Sequence, residues 1–433
     1  MTNNEIYGRK AHELIPAGAH TYSRTDEVFP GNAPKIFDHT KGIYAWDVDG
    51  NKYIDYAMAC RSVTVGYGYE RISEAAIRQI HNGNTASKAS KIEVESAEVL
   101  CSLIPWIDMV KFAKNGSTVT TAAVKLARAY TGRKYIARCK EHSFFSYDDW
   151  FIGDTVMDAG IPSEISSLTL QFNYNNIESV KKLFEKYKGK IACLIMEPSE
   201  SEEPENDFLN EVGKLCREDG AVYILDEMIT GFRWDLKGAC QYYGVEPDLV
   251  TYGKGMANGF SVAALGGKRE IMDLGGLTQG KERVFLISTT HGAEMSGLGA
   301  FVETMKVYQE LNVTDHLWDI GRKLCDGLDN IAKEFDLQDY FYTTGAACSP
   351  NFTVCDQEKK VSMEYRTVFC QEMIKNGILM PYIAVAYEHT DKEVEVTLEA
   401  ARKAMKVYAD ALNGNVYDYI IGNVIKPVFR KYN

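Results

Sequence analysis

No apolar run in this 433-residue sequence approaches the ~18 residues a helix needs to cross a bilayer. The N-terminal stretch MTNNEIYGRKAHELIPAG lacks the apolar core of a signal peptide. Positive charge is in deficit, with 48 lysines and arginines against 60 acidic residues and a net charge of −12. Nucleic acid and anionic membrane are therefore poor partners, although a local positive pocket for a phosphate stays possible. The ten cysteines are scattered, form no CxxC, and make no Cys/His cluster with zinc-ligand spacing. Internal repeats, low-complexity linkers and the GxGxxG dinucleotide fingerprint are also missing. These absences point to a reduced, cytoplasmic, metal-free protein.

What is present suits two lobes, since single cores stop growing near ~250–300 residues. Residues 35–56 (KIFDHTKGIYAWDVDGNKYIDY) alternate apolar and polar positions around DVDGN, which predicts antiparallel strands. From about 70 to 300, helical stretches such as TTAAVKLARAYTG and NDFLNEVGKLCRED alternate with the short strands MVKFAK, YIARC, IACLIMEP, AVYILDE, LVTYGK and AALGG. That alternation predicts an α/β fold with a mostly parallel sheet flanked by helices. Two long amphipathic helices (296–312 and 315–335) then lead to a small α+β segment with FYTTGAACSPNFTVC and GILMPYIAV as strands. The expected organisation is an N-terminal segment, 1–60, joining a C-terminal small domain, 313–433, around a large domain, 61–312.

Ligands of open α/β sheets sit beyond the carboxyl ends of the strands. AVYILDEMITGFR places Asp226 and Glu227 at such an end, where Asp226 either caps a turn, pairs with Arg233, or faces a cationic ring nitrogen. Met228 would share its strand face and pack against that ring. The next strand, LVTYGK, ends in Lys254 between Gly253 and Gly255. Desolvated amines become nucleophiles towards carbonyls, and the flanking glycines would admit a bulky aromatic ligand. In KNGSTVTTAAVKLARAYTG, Asn115, Gly116, Ser117 and Thr118 open a helix whose N-terminus suits an anion, though a plain N-cap reads the same way. ISTTHGAEMSGLGA is a second loop before a helix, with Thr289, Thr290 and His291. An amine nucleophile, a carboxylate for a pyridinium and a phosphate cradle together describe a pyridoxal phosphate site.

The sequence resembles class III (ω-type) pyridoxal phosphate aminotransferases of fold type I, in particular the glutamate-1-semialdehyde aminomutase branch. The likeness runs through IPAGAHTYSR, GNKYIDY, VKFAKNGST, KLARAYTGR, IMEP, LDEMITGFR, YGKGMANGF and HTDKEVEVTLEAARKA, in that order along the chain. It implies that Lys254 anchors the cofactor and shuttles protons, and that Asp226 binds the ring nitrogen with Met228 under the ring. It further implies that Gly116 and Ser117 form the phosphate cup, that His142 lies at the cofactor, and that Thr290 reaches the phosphate of a neighbouring subunit in a homodimer. Arg24 of HTYSR falls where the aminomutase has an arginine for the substrate carboxylate, or else makes a surface or inter-subunit salt bridge.

Three departures bear on the substrate. Glu141, His142 and Ser143 replace the family's Tyr-His-Gly, which leaves ring stacking to Phe144 or Phe145. KNGSTVT stands where the family has NSGTEA, and Pro381 stands where the aminomutase has an acidic residue. The expected function is amino transfer from a donor such as glutamate to a ketone or aldehyde, a keto-sugar-like acceptor among them. Tyr22, Tyr382 and Tyr387 would offer hydroxyls to that acceptor. The alternatives are an intramolecular aminomutase and an idle binding protein of the same fold.

Overall fold

The computed structural model describes every residue except Gln279, Lys281 and Asn433. The chain divides into two compact units, one of Met1–Tyr69 with Asp315–Arg430, the other of Glu70–Thr314 with the last residues from Lys431.

The first unit opens with β1 (Phe37–Lys41), β2 (Tyr44–Asp47) and β3 (Lys52–Asp55), an antiparallel meander. Its tight turn is DVDGN: Asp47 Oδ1 accepts the amides of Asp49 and Asn51 at 3.0 and 2.8 Å, and Gly50 supplies φ 87°.

In the second unit a seven-stranded sheet holds β4 (Met109–Ala113), β5 (Tyr135–Cys139), β6 (Thr169–Phe172), β7 (Ile191–Met196), β8 (Val222–Glu227), β9 (Leu249–Tyr252) and β10 (Ala263–Gly267). Their order is β4-β10-β9-β8-β7-β5-β6. All neighbours run parallel except β10, which is antiparallel to both β4 and β9. Every residue of β7 and β8 is buried, as the continuous apolar runs IACLIM and VYIL require of strands covered on both faces. Phe172, Phe184, Leu194, Phe208, Val212 and Tyr223 form part of the core under one face. The edge strand β6 is half exposed, which is why TLQF carries no strong apolar signal in the sequence.

Back in the first unit, β11 (Phe341–Thr344) and β12 (Asn351–Val354) make a hairpin. The stretch GILMPYIAV forms a much shorter strand than its composition predicts. Just Ile378–Leu379, β13, pairs in parallel with β3, because Pro381 has no amide to continue a ladder. Helices Met363–Lys375 and Asp391–Leu412 pack together, the second opened by a Thr390/Glu393 capping box.

Candidate active site

β8 and β9 lie side by side in parallel, with Asp226 opposite Thr251. That register puts the Thr251 hydroxyl 2.7 Å from Asp226 Oδ1, and the Met228 amide donates to the same oxygen at 3.0 Å. Oδ2 receives neither bond and is left for a cationic partner. At 2% exposure, Asp226 has its pKa raised, burial being the main cause, against the opposing pull of Thr251, the Lys254 charge and the Met228 amide. A carboxylate this strained by burial is stabilised by a cation bound against it. The adjacent Glu227 plays a structural part instead. It accepts the Thr230 hydroxyl and the amides of Ala239 and Cys240, at 2.9 and 2.7 Å for the amides, and so closes the turn after β8.

Lys254 follows β9 and starts a short 3₁₀ turn, Lys254–Ala257, with φ 44°. A left-handed lysine is uncommon and marks an elbow rather than a relaxed loop. Its side chain is half buried, and its charge reaches Asp226. Gly253 before it is extended (φ −179°), so conformational freedom does not explain the glycine. Close approach does: a Cβ there would collide with Met228 Cε. A Cβ at Gly116 would meet the same methyl at 3.0 Å. The Met228 thioether thus touches both the loop of Lys254 and the start of the Gly116 helix, joining three of the sequence motifs in one place. The sequence suggests that Gly253 makes room for a ligand; in the structure it makes room for Met228.

The helix Gly116–Thr131 is capped by Asn115, whose Oδ1 accepts the Thr118 amide at 2.9 Å and the Thr118 hydroxyl at 3.0 Å. Thr118 is thereby committed to the cap, while the Gly116 and Ser117 amides stay open to an anion. Ser117 is buried, and its oxygen accepts the Tyr147 amide at 3.1 Å, leaving its own proton to donate. Beyond β5, His142 Nδ1 accepts the Glu197 amide at 2.9 Å, which places the ring proton on Nε2. Burial lowers its pKa to about 3, so the ring stays neutral at physiological pH.

Glu141 holds the Asn173 side chain and the Tyr174 amide. Burial raises its pKa, but these hydrogen bonds outweigh it and the net shift is downward. Phe145 is buried among His142, Trp150 and Phe151, whereas Phe144 is exposed and packs edge-on to Phe151. Thr290 is exposed in the turn that precedes the helix Met295–Leu311.

Arg24 belongs to the first unit, where it lines a cavity of about 360 Å³ with Asp55, Cys60, Tyr67 and Tyr382. Among the described residues of this chain Arg24 makes no ion pair. Tyr67 donates to Asp55 Oδ2 at 2.7 Å. Burial raises the pKa of Asp55, with Tyr67, the Ala57 and Met58 amides and the Arg24 charge opposing. Of the three tyrosines suggested for substrate hydroxyls, Tyr382 lines this cavity, whereas Tyr22 is exposed and Tyr387 packs on His316.

Sequence reasoning missed the turn that brings Ala59 and Cys60 into the lining of that cavity. Met58, Ala59, Cys60 and Arg61 are successive left-handed residues (φ 41°, 49°, 59° and 63°), each costing roughly 1–2 kcal/mol. Arg61 is held by Asn351 at 2.9 Å and stacks 4.6 Å from the Tyr382 ring. No glycine marks this turn, so nothing in AMACRS announces it. Thr251 was also missed, though a hydroxyl in the otherwise apolar LVTY was a usable signal.

Residues 29–401 match the family described as aminotransferase class-III. The chain is 33% identical to 3-aminobutyryl-CoA aminotransferase of Cloacimonas acidaminovorans, covering 92% of this chain and 95% of that protein. It is 31% identical to glutamate-1-semialdehyde 2,1-aminomutase of Francisella tularensis subsp. mediasiatica, covering 93% and 98%. Among solved structures, the PLP internal aldimine form of Sphingopyxis sp. MTA144 FumI superposes with a TM-score of 0.85 at 27% identity, covering 95% and 97% of the two chains. Among the described residues no helix is long and apolar enough to cross a membrane, and no group of His, Cys, Asp or Glu is placed to hold a metal.

Proposed function

Because the chain belongs to the class-III aminotransferases and is a pyridoxal phosphate enzyme acting on small amino donors and carbonyl acceptors, we propose that it moves an amino group from an external donor, glutamate, to a ketone or aldehyde acceptor. The observation that carries the site is the meeting of Asp226, Lys254 and the Gly116 helix around Met228. Bound pyridoxal phosphate supplies a carbonyl that condenses with amines and a protonated ring that takes up the electron pair of a breaking Cα–H bond. The Asp226 carboxylate would keep the ring nitrogen protonated, and Thr251 fixes that carboxylate in place. The open amides of Gly116 and Ser117, with the Ser117 hydroxyl, hold the phosphate, and Met228 supports the ring. Lys254 Nζ would anchor the cofactor and, when free of it, would take the donor's α-proton and hand it on.

Transfer between two molecules is favoured over the aminomutase reaction. Where the aminomutase branch has a carboxylate, this chain has Pro381, whose carbonyl is held by Arg366 at 2.7 Å. That position can orient no substrate amine by charge. The acceptor in this reading is rich in hydroxyls, of the keto-sugar kind, and what supports this is the guanidinium and the phenols around the Arg24 cavity. In the purified enzyme, L-glutamate with no acceptor present is expected to bleach the yellow cofactor band, and a keto-sugar acceptor to restore it. Indifference to glutamate would sink the donor assignment. Recovery with small α-keto acids alone would sink the sugar assignment.

Gly253 offers a separate check. Gly253→Ala drives a methyl into Met228 and is expected to weaken pyridoxal phosphate binding about 10-fold, as overpacking of this kind does. A second change, Met228→Ala, removes the collision and is expected to recover part of the affinity, the remainder being lost with the ring support. Equal weakening in the single and double variants would contradict that role.

A further inference from the structure

We propose that Lys114 and Glu294 are positioning residues that set the spacing between the phosphate end and the lysine end of the cofactor cradle. This rests on the reading of Gly116 and Ser117 as phosphate ligands and Lys254 as anchor. The backbone ladder between β4 and β10 ends at the pair Ala113–Ala263. Beyond it, the chain leads directly into the phosphate loop on one side and back towards the Lys254 turn on the other. No ladder holds those two segments together, and side chains take over.

Lys114 does so at both of its ends. Its carbonyl accepts the Ser261 hydroxyl at 2.6 Å, tying it to the loop that follows the Lys254 turn. Its amine lies 2.7 Å from Glu294 Oε2, four residues beyond Thr290. Glu294 uses its other oxygen for Asn84 Nδ2, also at 2.7 Å. Asn84, at φ 56°, takes the Met295 amide on its carbonyl and the Ser296 amide on its Oδ1. It therefore caps the helix Met295–Leu311, whose own N-cap side chain, that of Glu294, makes no capping bond. Glu294 thus makes no capping bond to a backbone amide, and its carboxylate is shared among Lys114, Asn84 and the Ser296 side chain. The two side chains are 26% and 29% exposed, and Lys114 is the leading reason the Glu294 carboxyl titrates below its ordinary range. Lys114 also opens KNGSTVT, the stretch that departs from the family.

A ligand gripped at both ends gains from the second grip in proportion to how well the spacing of the two matches its length. Loosening the pair should therefore penalise a ligand that uses both ends and spare one that uses a single end. Pyridoxal, which lacks the phosphate, is the single-ended probe.

The test titrates pyridoxal phosphate and pyridoxal separately into apoenzyme, followed by absorption. Lys114→Met and Glu294→Gln are each expected to raise the Kd for pyridoxal phosphate about 10- to 50-fold, the range for losing a hydrogen bond to a charged group. The Kd for pyridoxal should not move, and the swapped pair Lys114→Glu with Glu294→Lys should recover part of the loss. Equal weakening of both ligands would show a merely structural role and overturn the proposal, as would no change in either. Glu294→Gln keeps shape and serves if Lys114→Met does not fold. Ser117→Ala, run alongside, separates the two readings. If it too leaves the preference for pyridoxal phosphate intact, the phosphate-cup reading has failed; if it alone lowers that preference, the cup stands and the positioning pair falls.

Discussion

Lys254→Ala is expected to cut transamination by about 10³-fold or more, because one side chain supplies both the covalent anchor and the proton shuttle. The variant should still take up pyridoxal phosphate, since Asp226 and the Gly116–Ser117 amides remain. Borohydride should then fix the cofactor to the wild-type peptide containing Lys254 and to no peptide of the variant. The loss should appear in kcat for every donor and acceptor alike, because the shuttle acts on the common α-proton rather than on either substrate's distinguishing groups. Added small amines should restore a fraction of the rate if proton transfer is what is missing. A variant that turns over near the wild-type rate would remove Lys254 from both roles. The left-handed φ of 44° would then need another explanation.

Asp226→Asn is expected to lower kcat/KM by about 10²- to 10³-fold, the scale on which a single preorganised electrostatic contact is lost. Asparagine keeps the oxygen that receives Thr251 and Met228, so the fold survives while the charge goes. The same change should stabilise the apoenzyme at neutral and alkaline pH. Burial raises the pKa of Asp226 in the folded protein. From the unfolded-state carboxylate range up through the raised folded value, the native state binds more protons than the unfolded one, and stability falls as pH rises. That penalty is complete above the folded value and disappears below the ordinary carboxylate range. Apo Asp226→Asn should therefore melt higher than apo wild type at pH 8, with the gap closing towards acid pH, while the holoenzymes show the reverse order. An apo variant that melts lower at pH 8 would mean that the carboxylate is already compensated within the chain and needs no cationic ligand. Stability surrendered in this way for a ligand's sake is common at functional sites.

Much of this site is legible in the sequence because its motifs coincide with strand ends. The apolar runs VYIL and LVTY identify two buried strands, and residues just past such runs fall on the ligand-binding edge of the sheet. Local pattern alone therefore places Lys254 and Asp226. The division of labour between Asp226 and Glu227 is not legible. Adjacent carboxylates point to opposite faces of a strand, and which face carries the site depends on what covers each. Thr118 lies in a stretch that the sequence reads equally as anion site or plain N-cap, and its amide and hydroxyl are bound into the Asn115 cap, because Asn, Ser and Thr compete for the same amides at a helix start.

By itself the sequence determined the fold class and the family, and it placed the candidate cofactor motifs at strand ends. Hydrophobic periodicity and strand-end placement act over a few residues and leave a readable trace. The tertiary structure alone decided that Met228 rests on Gly253 and Gly116, that Asn84 caps a helix two hundred residues away, and that Lys114 pairs with Glu294. It also decided that four residues without a glycine turn left-handed beside Tyr382. Such contacts join segments far apart in the chain, their energy comes from surrounding packing rather than local propensity, and no periodic pattern records them.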